Sequence, residues 1–174
     1  DLADGQTCEF TFEYTLLLTQ NAASLGVGAM GWRLRGFYIQ PLKYEYGEFV
    51  APAPLQHANY VYADRADYAL TVTLPERYLL AGPGEISSVD NGDGTRTWTL
   101  AADNIRELCL SVGMRWREYS AETVSGTRLR LLANARDAQK TLDTALETLE
   151  VYESWFGPLD GDVTIAQGDY ALGT

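Results

Sequence analysis

The sequence is poor in the residue that most often builds metal sites and catalytic triads. Among 174 residues there is one histidine, His57. A zinc site with two or three histidines cannot be formed from one imidazole, and a Ser-His-Asp triad would need His57 as its base. His57 lies in the proline-rich stretch PAPLQHANY, without a neighbouring G-x-S-x-G nucleophile motif. We therefore interpret His57 as an ordinary loop or surface residue.

Basic charge and long apolar runs are also scarce. Thirteen Lys and Arg stand against 24 Asp and Glu, which gives a net charge of -11. A surface with that charge repels phosphate backbones, so no nucleic-acid partner is predicted. The densest apolar stretch, TLLL at residues 15–18, is too short to span a bilayer, and no signal peptide is visible.

Only two cysteines are present, Cys8 and Cys109, so at most one internal disulfide can form. Cys8 shares its strand parity with the apolar residues of CEFTFEYTLLL, and we expect it to be buried as a free thiol. A bridge between the two cysteines remains open.

The first two thirds of the chain are rich in strand patterns. The stretches CEFTFEYTLLL and DYALTVTLP alternate apolar and polar residues, and EISSVDNGDGTRTWTL predicts a hairpin with its turn at residues 91–94. LCLSVGMRW predicts a further strand with Leu108, Leu110, Val112, Met114 and Trp116 on one face. TRLRLLA follows a turn at Ser125 and Gly126.

These patterns predict a mainly β domain over residues 1–133, an antiparallel sheet or sandwich. Its predicted core is Phe10, Phe12, Tyr14, Leu16, Tyr68, Leu70, Val72, Leu74, Leu108, Leu110 and Val112. Residues 19–62 are glycine-rich or aromatic and are predicted to be long loops. Those loops either carry function or cover one end of the sheet.

The pattern changes near residue 134. In DAQKTLDTALETLEVYESWFGP, apolar residues recur at 138, 142, 145, 149, 152 and 156, which predicts a helix over residues 137–156. Asp137 is expected to cap its start, and Gly157 with Pro158 to end it. A short strand, Val163–Ala166, follows. We therefore place a domain boundary near residue 133, so that one long α-helix and a short strand follow the β domain.

Several segments together resemble one family. DYALTVTLPERYLLAGPGEISS, NGDGTRTWTL, NIRELCLSVG and YESWFGPLDGDVTIAQGDYALG are similar, in that order, to segments of the aminopeptidase N-like zinc metallopeptidases, which are gluzincins, and in particular to their smaller bacterial members. The resemblance covers roughly residues 8–173. It implies an N-terminal β domain followed by a thermolysin-like catalytic domain. That catalytic domain opens with a helix and a strand, continues with a G-x-M-E-N-like strand, and holds zinc with an H-E-x-x-H helix and a distal glutamate.

The resemblance makes residues 1–133 a β domain that is incomplete at its start, and residues 134–174 the beginning of the catalytic domain. The G-x-M-E-N-like segment would begin near Gly173, where Thr174 follows, and the chain has no H-E-x-x-H motif. We therefore expect a noncatalytic fragment with no catalytic residue, no metal ligand and no cofactor. The full-length protein would use zinc to remove N-terminal residues from peptides. Whether that protein is active stays open, as does an extracellular or membrane-associated location.

The resemblance also implies partners and a cleft. Residues 25–40 would face the active-site cleft, with Trp32, Arg33, Arg35 and Tyr38 as cleft-facing residues. Neither Gln20 nor Gln40 stands in the context of the glutamine with which some members bind the substrate's α-amine. The implied partners are the remainder of the catalytic domain and a peptide substrate.

The helix stripe and the strand Val163–Ala166 would lack cover in this chain. A homo-oligomer formed through that helix and strand is therefore expected, and the alternative is a tail that folds back on residues 1–133.

A second interpretation needs no peptidase. An autonomous β-sandwich could bind carbohydrate or peptide through exposed aromatic rings. The candidate stacking residues are Trp32, Phe37, Tyr38, Tyr44 and Tyr46.

Overall fold

The computed structural model describes residues 5–20, 25–29, 31–51, 62–134 and 136–168, and it is mainly β, as predicted. The elements in chain order are β1 (Leu25–Val27), β2 (Gly31–Arg35), β3 (Lys43–Glu45), β4 (Glu48–Val50), β5 (Ala66–Pro75), β6 (Tyr78–Ala81), β7 (Glu85–Asp90), β8 (Thr95–Ile105), β9 (Cys109–Met114), β10 (Arg117–Glu122), β11 (Arg128–Ala133), α1 (Ala138–Phe156) and β12 (Val163–Ala166). His57 lies outside the described residues. In the described part of the chain, α1 lacks the apolar length needed to cross a bilayer.

Two antiparallel sheets share the first core. One has the strand order β1-β2-β9-β6 and the other β5-β8-β7. Their buried residues are Leu74, Leu80, Trp98, Leu100, Ala102, Leu108, Leu110 and Val112. Four of the predicted core residues are among them, and Tyr68, Leu70 and Val72 are half-buried against the same cluster. The period-two pattern thus placed most of these side chains on the correct face.

The predicted hairpin is confirmed. β7 and β8 pair from Glu85 opposite Ala101 to Asp90 opposite Arg96, and the turn occupies residues 91–94. Gly92 and Gly94 both have positive φ, which glycine adopts without steric cost. β8 also pairs with β5 along the whole of that strand, so it is the central strand of its sheet.

The segment CEFTFEYTLLL is not a strand in the structure, contrary to the prediction. Residues 6–19 carry no strand assignment, and Phe10 and Phe12 are 73% and 59% exposed. Tyr14 and Leu16 are exposed too, and Cys8 is an exposed free thiol, as is Cys109. Alternation makes a segment able to form a strand, but pairing needs a neighbouring edge. Within the described residues, no strand pairs with residues 7–19.

The prediction of irregular loops over residues 19–62 is also wrong in part. Four short strands lie there: β1 and β2 belong to the four-stranded sheet, and β3 and β4 form a separate hairpin. Short strands with only three to five residues give too few alternations to detect in the sequence.

The C-terminal part forms a β-α-β unit. β11 pairs with β10 antiparallel and with β12 parallel, and α1 connects the two parallel strands. Leu129, Leu131 and Ala133 face the helix residues Ala138, Leu142 and Leu149 in a second core. The expectation that Val163–Ala166 lacks a neighbouring strand is therefore wrong, since the tail folds back on β11. The division at residue 133 stays a prediction, with one sheet containing strands from both sides of it.

The helix prediction is confirmed, but not its cap. Asp137 has φ 59°, a left-handed conformation, and its side chain makes no capping hydrogen bond. Instead its backbone carbonyl accepts from the Thr141 amide at 3.0 Å. At the other end Gly157 has φ 87° and donates to the Glu153 carbonyl, as expected for a glycine that ends a helix.

The apolar stripe of α1 is covered along only part of its length. Ala138, Leu142 and Leu149 are buried, whereas Tyr152 and Phe156 are 53% and 81% exposed. Trp155 is also exposed and stacks edge-on against Phe156. The aromatic side chains in the last turns of the helix are therefore left uncovered in the described structure, although Leu149 and Glu153 still contact the β10–β11 hairpin.

Trp116 packs between β6 of the four-stranded sheet and β11, on the face of β9 opposite to the predicted one. Arg115 has φ 67°, and this left-handed residue breaks the alternation after Met114. The indole then lies over Gly113, where a Cβ would come within 2.0 Å of the ring. On its other side Trp116 packs with Ala81 and Leu132. Glycine at position 113 is thus required for this contact.

Candidate functional site

A cleft of about 360 Å³ lies between the four-stranded sheet and β12. Its floor is made by the end of β6 and the following turn, together with β9. Its wall is the segment that leads into and forms β12. The lining residues are Ala81, Gly82, Pro83, Cys109, Ser111, Asp162, Thr164 and Ala166.

The floor is the polar face of a strand whose other face is core. In β9, Leu110 and Val112 are buried, so Cys109, Ser111 and Gly113 point to the opposite side. The antiparallel register sets Ser111 opposite both Arg33 of β2 and Ala81 of β6, and Cys109 opposite Arg35. Cross-strand partners share a face, so both arginines flank the floor of the cleft.

One end of the cleft is closed by apolar packing. Ala166 of β12 packs with Ala81 and Trp116, and this contact holds β12 against β6. Both strands are the outer strands of their sheets in the described structure. The cleft is therefore bordered by two sheet edges.

An ion pair organises the floor. Arg35 Nε donates to Glu107 Oε1 at 2.7 Å, and the two side chains are 28% and 19% exposed. The hydrogen bond to Glu107 raises the pKa of Arg35, so this guanidinium stays charged. Partial burial, and then the neighbouring Glu107 carboxylate, raise the pKa of the Cys109 thiol to about 11. Cys109 is therefore a neutral thiol near pH 7 and a poor nucleophile.

The wall contributes oxygen atoms. Asp162 lies 3.7 Å from Arg128 Nε through its Oδ2, an exposed pair that contributes little stability. Thr164 of β12 lies in register with Arg130 of β11 and lines the cleft. The cleft thus combines hydroxyl groups, one carboxylate and two flanking guanidinium groups. Such a lining suits a ligand with both donors and acceptors better than an apolar one.

Across the described ranges, no three histidine, cysteine, aspartate or glutamate side chains come close enough together to bind a metal ion. The cleft does contain Cys109 and Asp162, but its other polar side chains are the hydroxyls of Ser111 and Thr164.

The four residues predicted to face a cleft separate into two groups. Arg33 and Arg35 lie on the cleft side of β2. Trp32 packs against the first core, with its ring 5.5 Å from that of Tyr78. Tyr38 also packs there, donating to the Tyr68 hydroxyl at 3.1 Å. Burial, and then this hydrogen bond, raise the pKa of Tyr68 to about 12.

The proposed aromatic platform is divided as well. Trp32, Phe37 and Tyr38 belong to the first core, while Tyr44 and Tyr46 lie on the β3–β4 hairpin. Tyr44 packs edge-on with Phe49, at a ring angle of 67°. Because the rings do not form one plane, the set offers no continuous surface for stacking a sugar ring.

Sequence reasoning missed the lining residues of the cleft. Cys109 and Ser111 alternate with Leu110 and Val112, so their outward direction was implied by the strand pattern. Asp162 and Thr164 could not be connected with them, because the parallel return of β12 onto β11 sets that distance. No family model and no curated protein matches the chain.

Proposed function

We propose that this chain forms noncatalytic parts of a zinc aminopeptidase-like protein: a β domain over residues 1–133, and the helix and strand that open the domain that would carry the metal. The proposal starts from the resemblance in sequence. In that family a long helix and a strand follow the β domain and open an α/β layer.

The main observation in support of the proposal is the arrangement of the β-α-β unit, which has a helix on one face and an open strand edge. β11 and β12 are parallel and α1 covers one of their faces, as in the edge of an α/β sheet. Parallel sheets are usually covered on both faces and extended by further strands. Tyr152, Trp155 and Phe156 are exposed on α1, and β12 pairs on one side only in the described structure. Both features support a continuing α/β layer at this edge.

The chemistry explains why the chain itself is assigned no catalytic step. In the resembled family, zinc lowers the pKa of a bound water and a glutamate accepts its proton. Holding that metal takes two imidazoles and a carboxylate, and this chain contains one histidine. The described residues would then shape and support the domain that performs the reaction.

Two measurements test the proposal. The coding sequence after Thr174 is expected to contain an H-E-x-x-H motif and a distal glutamate, and a stop codon or an unrelated module there would overturn it. The isolated chain is expected to lose zinc on dialysis and to leave aminoacyl-nitroanilides intact. One zinc retained tightly per chain would contradict the assignment.

The cleft favours a second candidate, a peptide-binding module. Gln167 N donates to Leu132 O, so the alternate residues Thr164 and Ala166 direct their backbone groups to the outer edge of β12. An extended peptide could add to that edge, with small floor residues such as Ala81 and Gly82 admitting its backbone. Calorimetry with extended peptides would measure binding. Thr164→Pro should weaken it by removing an outward N–H, whereas Thr97→Ala, far from the cleft, should not.

A further inference from the structure

The turn between β7 and β8 contains the only Asn-Gly pair in the sequence, Asn91-Gly92. Asparagine is a thermolabile residue, and it is most labile before glycine, because glycine has no Cβ to obstruct attack of its own backbone nitrogen on the asparagine Cγ. Both residues are exposed, and a Cβ added to Gly92 would meet no atom within 4 Å beyond its chain neighbours. The sequence and the exposure thus satisfy two conditions for spontaneous loss of the side-chain amide.

A third condition, a side chain that can turn toward the Gly92 nitrogen, is not met in the folded hairpin. Asn91 Nδ2 donates to Thr95 Oγ1 at 2.9 Å and to Thr97 Oγ1 at 3.0 Å. Asn91 Oδ1 lies 3.2 Å from the same Thr97 hydroxyl. Both threonines belong to β8, so they hold the side-chain amide along the neighbouring strand.

The attacking atom is held as well. The Gly92 amide donates to Asp90 Oδ1 at 2.8 Å, and the Asn91 amide donates to the Thr95 carbonyl at 3.1 Å. Both partners of the reaction must therefore give up hydrogen bonds before they can meet.

We propose that Asn91 is a latent deamidation site that the β7–β8 hairpin keeps closed while the chain is folded. When the hairpin opens, the Gly92 nitrogen attacks Asn91 Cγ and loses its proton. The Cγ–Nδ2 bond breaks, ammonia leaves, and a succinimide ring remains. Water then adds to one of the two ring carbonyls and opens the ring to aspartate or isoaspartate, without any oxidation or reduction.

The second labile pair of the turn, Asp93-Gly94, is a poor substrate for the same ring closure. Aspartate closes the ring as the neutral acid, since water must leave. The Thr95 hydroxyl and then the Thr95 amide donate to Asp93 Oδ1, and these bonds lower the pKa of Asp93. Asp93 therefore stays ionised at neutral pH, and Asn91 is the reactive residue of the turn.

Deamidation would make opening of the hairpin hard to reverse. A carboxylate at position 91 has no N–H to donate to Thr95 or Thr97, and it adds a negative charge between Asp90 and Asp93. Isoaspartate also adds a methylene to the main chain of the turn, directly beside the pair in which Asp90 lies opposite Arg96. Register in a hairpin is fixed by its turn, so the site would keep a permanent record of past unfolding. The inference does not depend on the proposed function.

Peptide mapping of the full chain by mass spectrometry tests the closed state. Deamidation raises the mass of the peptide that contains Asn91, because oxygen replaces an NH group. A single hydrogen bond typically shifts an equilibrium by roughly two- to tenfold, and several must break here. We therefore expect deamidation at pH 8 to be at least about tenfold slower in native buffer than in guanidinium chloride. Equal rates would overturn the proposal, as would an Asn91 that stays intact in the denatured chain.

Thr97→Val tests the role of the threonines. It removes the hydroxyl that contacts Asn91 but keeps the branched shape, and the native rate should rise by roughly two- to tenfold. The Thr97 hydroxyl also lies 3.2 Å from that of Thr73. Thr73→Val, which removes only that contact, is the matched control and should leave the rate unchanged. Thermal midpoints verify that both variants are folded at the incubation temperature. A folded Thr97→Val chain that deamidates no faster than Thr73→Val would overturn the assignment of these bonds as the protecting contacts.

Discussion

Two segments with the same alternating pattern have different fates in this molecule. β5 and residues 8–18 each place apolar residues at every second position. β5 pairs with β8 from Ala66 to Pro75, and its apolar side chains pack against the first core. Residues 8–18 find no strand among the described residues, and Phe10 stays largely exposed.

The difference lies in the neighbours. β5 is followed within twenty residues by the β7–β8 hairpin, whose turn at residues 91–94 brings β8 back beside it. The partner of β5 is thus built by local turn chemistry. Residues 8–18 lead through Gln20 to β1, the edge of a different sheet, and no adjacent hairpin supplies a partner within the part of the chain that the structure describes. Alternation describes what a segment can form, and the rest of the chain decides whether it does.

Truncating one buried and one exposed apolar residue should give the largest contrast. Leu110 is 3% exposed in the first core. Leu110→Ala should lower the free energy of unfolding by about 2–5 kcal/mol, because the shorter side chain leaves a cavity. Phe10→Ala, measured where the chain is monomeric, should stay within about 0.5 kcal/mol of wild type. Urea unfolding followed by tryptophan fluorescence compares the two. Equal losses would mean that residues 8–18 are part of the core after all.

The same reasoning shows how much of the fold the sequence could predict. Strand β8, the 91–94 turn, helix α1 and the faces of Leu108, Leu110 and Val112 followed from local pattern and turn residues. The position of Trp116 did not, since the left-handed Arg115 reverses its face. Nor did the parallel pairing of β12 with β11, a contact across the 19-residue helix. The cleft depends on the position of Trp116 and on the pairing of β12 with β11. The sequence pattern of β9 therefore predicted the direction of the floor residues, but nothing in the sequence predicted the wall.

Gly113→Ala should give the next largest effect, at the Trp116 contact between the four-stranded sheet and β11. A Cβ at position 113 would come within 2.0 Å of the Trp116 ring, so either the indole or β9 must move. Overpacking of this kind costs about 1–3 kcal/mol. Ser111→Ala, two residues earlier on the same face, is the matched control and should be nearly neutral. An unchanged midpoint for Gly113→Ala would show that Trp116 does not lie over β9.

The docking of α1 on the β10–β11 turn should depend on pH. Glu153 accepts hydrogen bonds from Ser125 and Thr127. Both bonds lower the pKa of Glu153, and the bond from Ser125 has the larger effect. A carboxyl whose pKa is lowered by folding stabilises the fold above its ordinary value of 4.5, and that stability is lost as the pH falls toward the folded-state pKa.

Glu153→Gln should therefore remove part of the acid sensitivity. Thermal midpoints between pH 7 and pH 3 should fall less steeply in this variant than in wild type, with a lower midpoint at pH 7. Glu147→Gln, an exposed carboxyl on the same helix, serves as the control. Parallel pH profiles for wild type and Glu153→Gln would show that the bonds to the turn contribute nothing to docking.

The smallest effect on stability, and the sharpest contrast in chemistry, should come from the two cysteines. Cys8 lies on the exposed, unpaired segment, and Cys109 lies in a paired strand beside Glu107. With a pKa of about 11 for Cys109, only about one thiol in a thousand is ionised at pH 8. In a Cys8→Ser chain, alkylation by iodoacetamide should therefore be slow at pH 8 and rise about tenfold per pH unit up to pH 10.

Glu107→Gln should shift that profile to lower pH, since the carboxylate is one of the groups that raise the pKa of Cys109. The Cys109→Ser chain, with only Cys8 left, should react faster at pH 8. A Cys109 profile that levels off near pH 8, or that Glu107→Gln leaves in place, would show that neither burial nor the carboxylate controls this thiol.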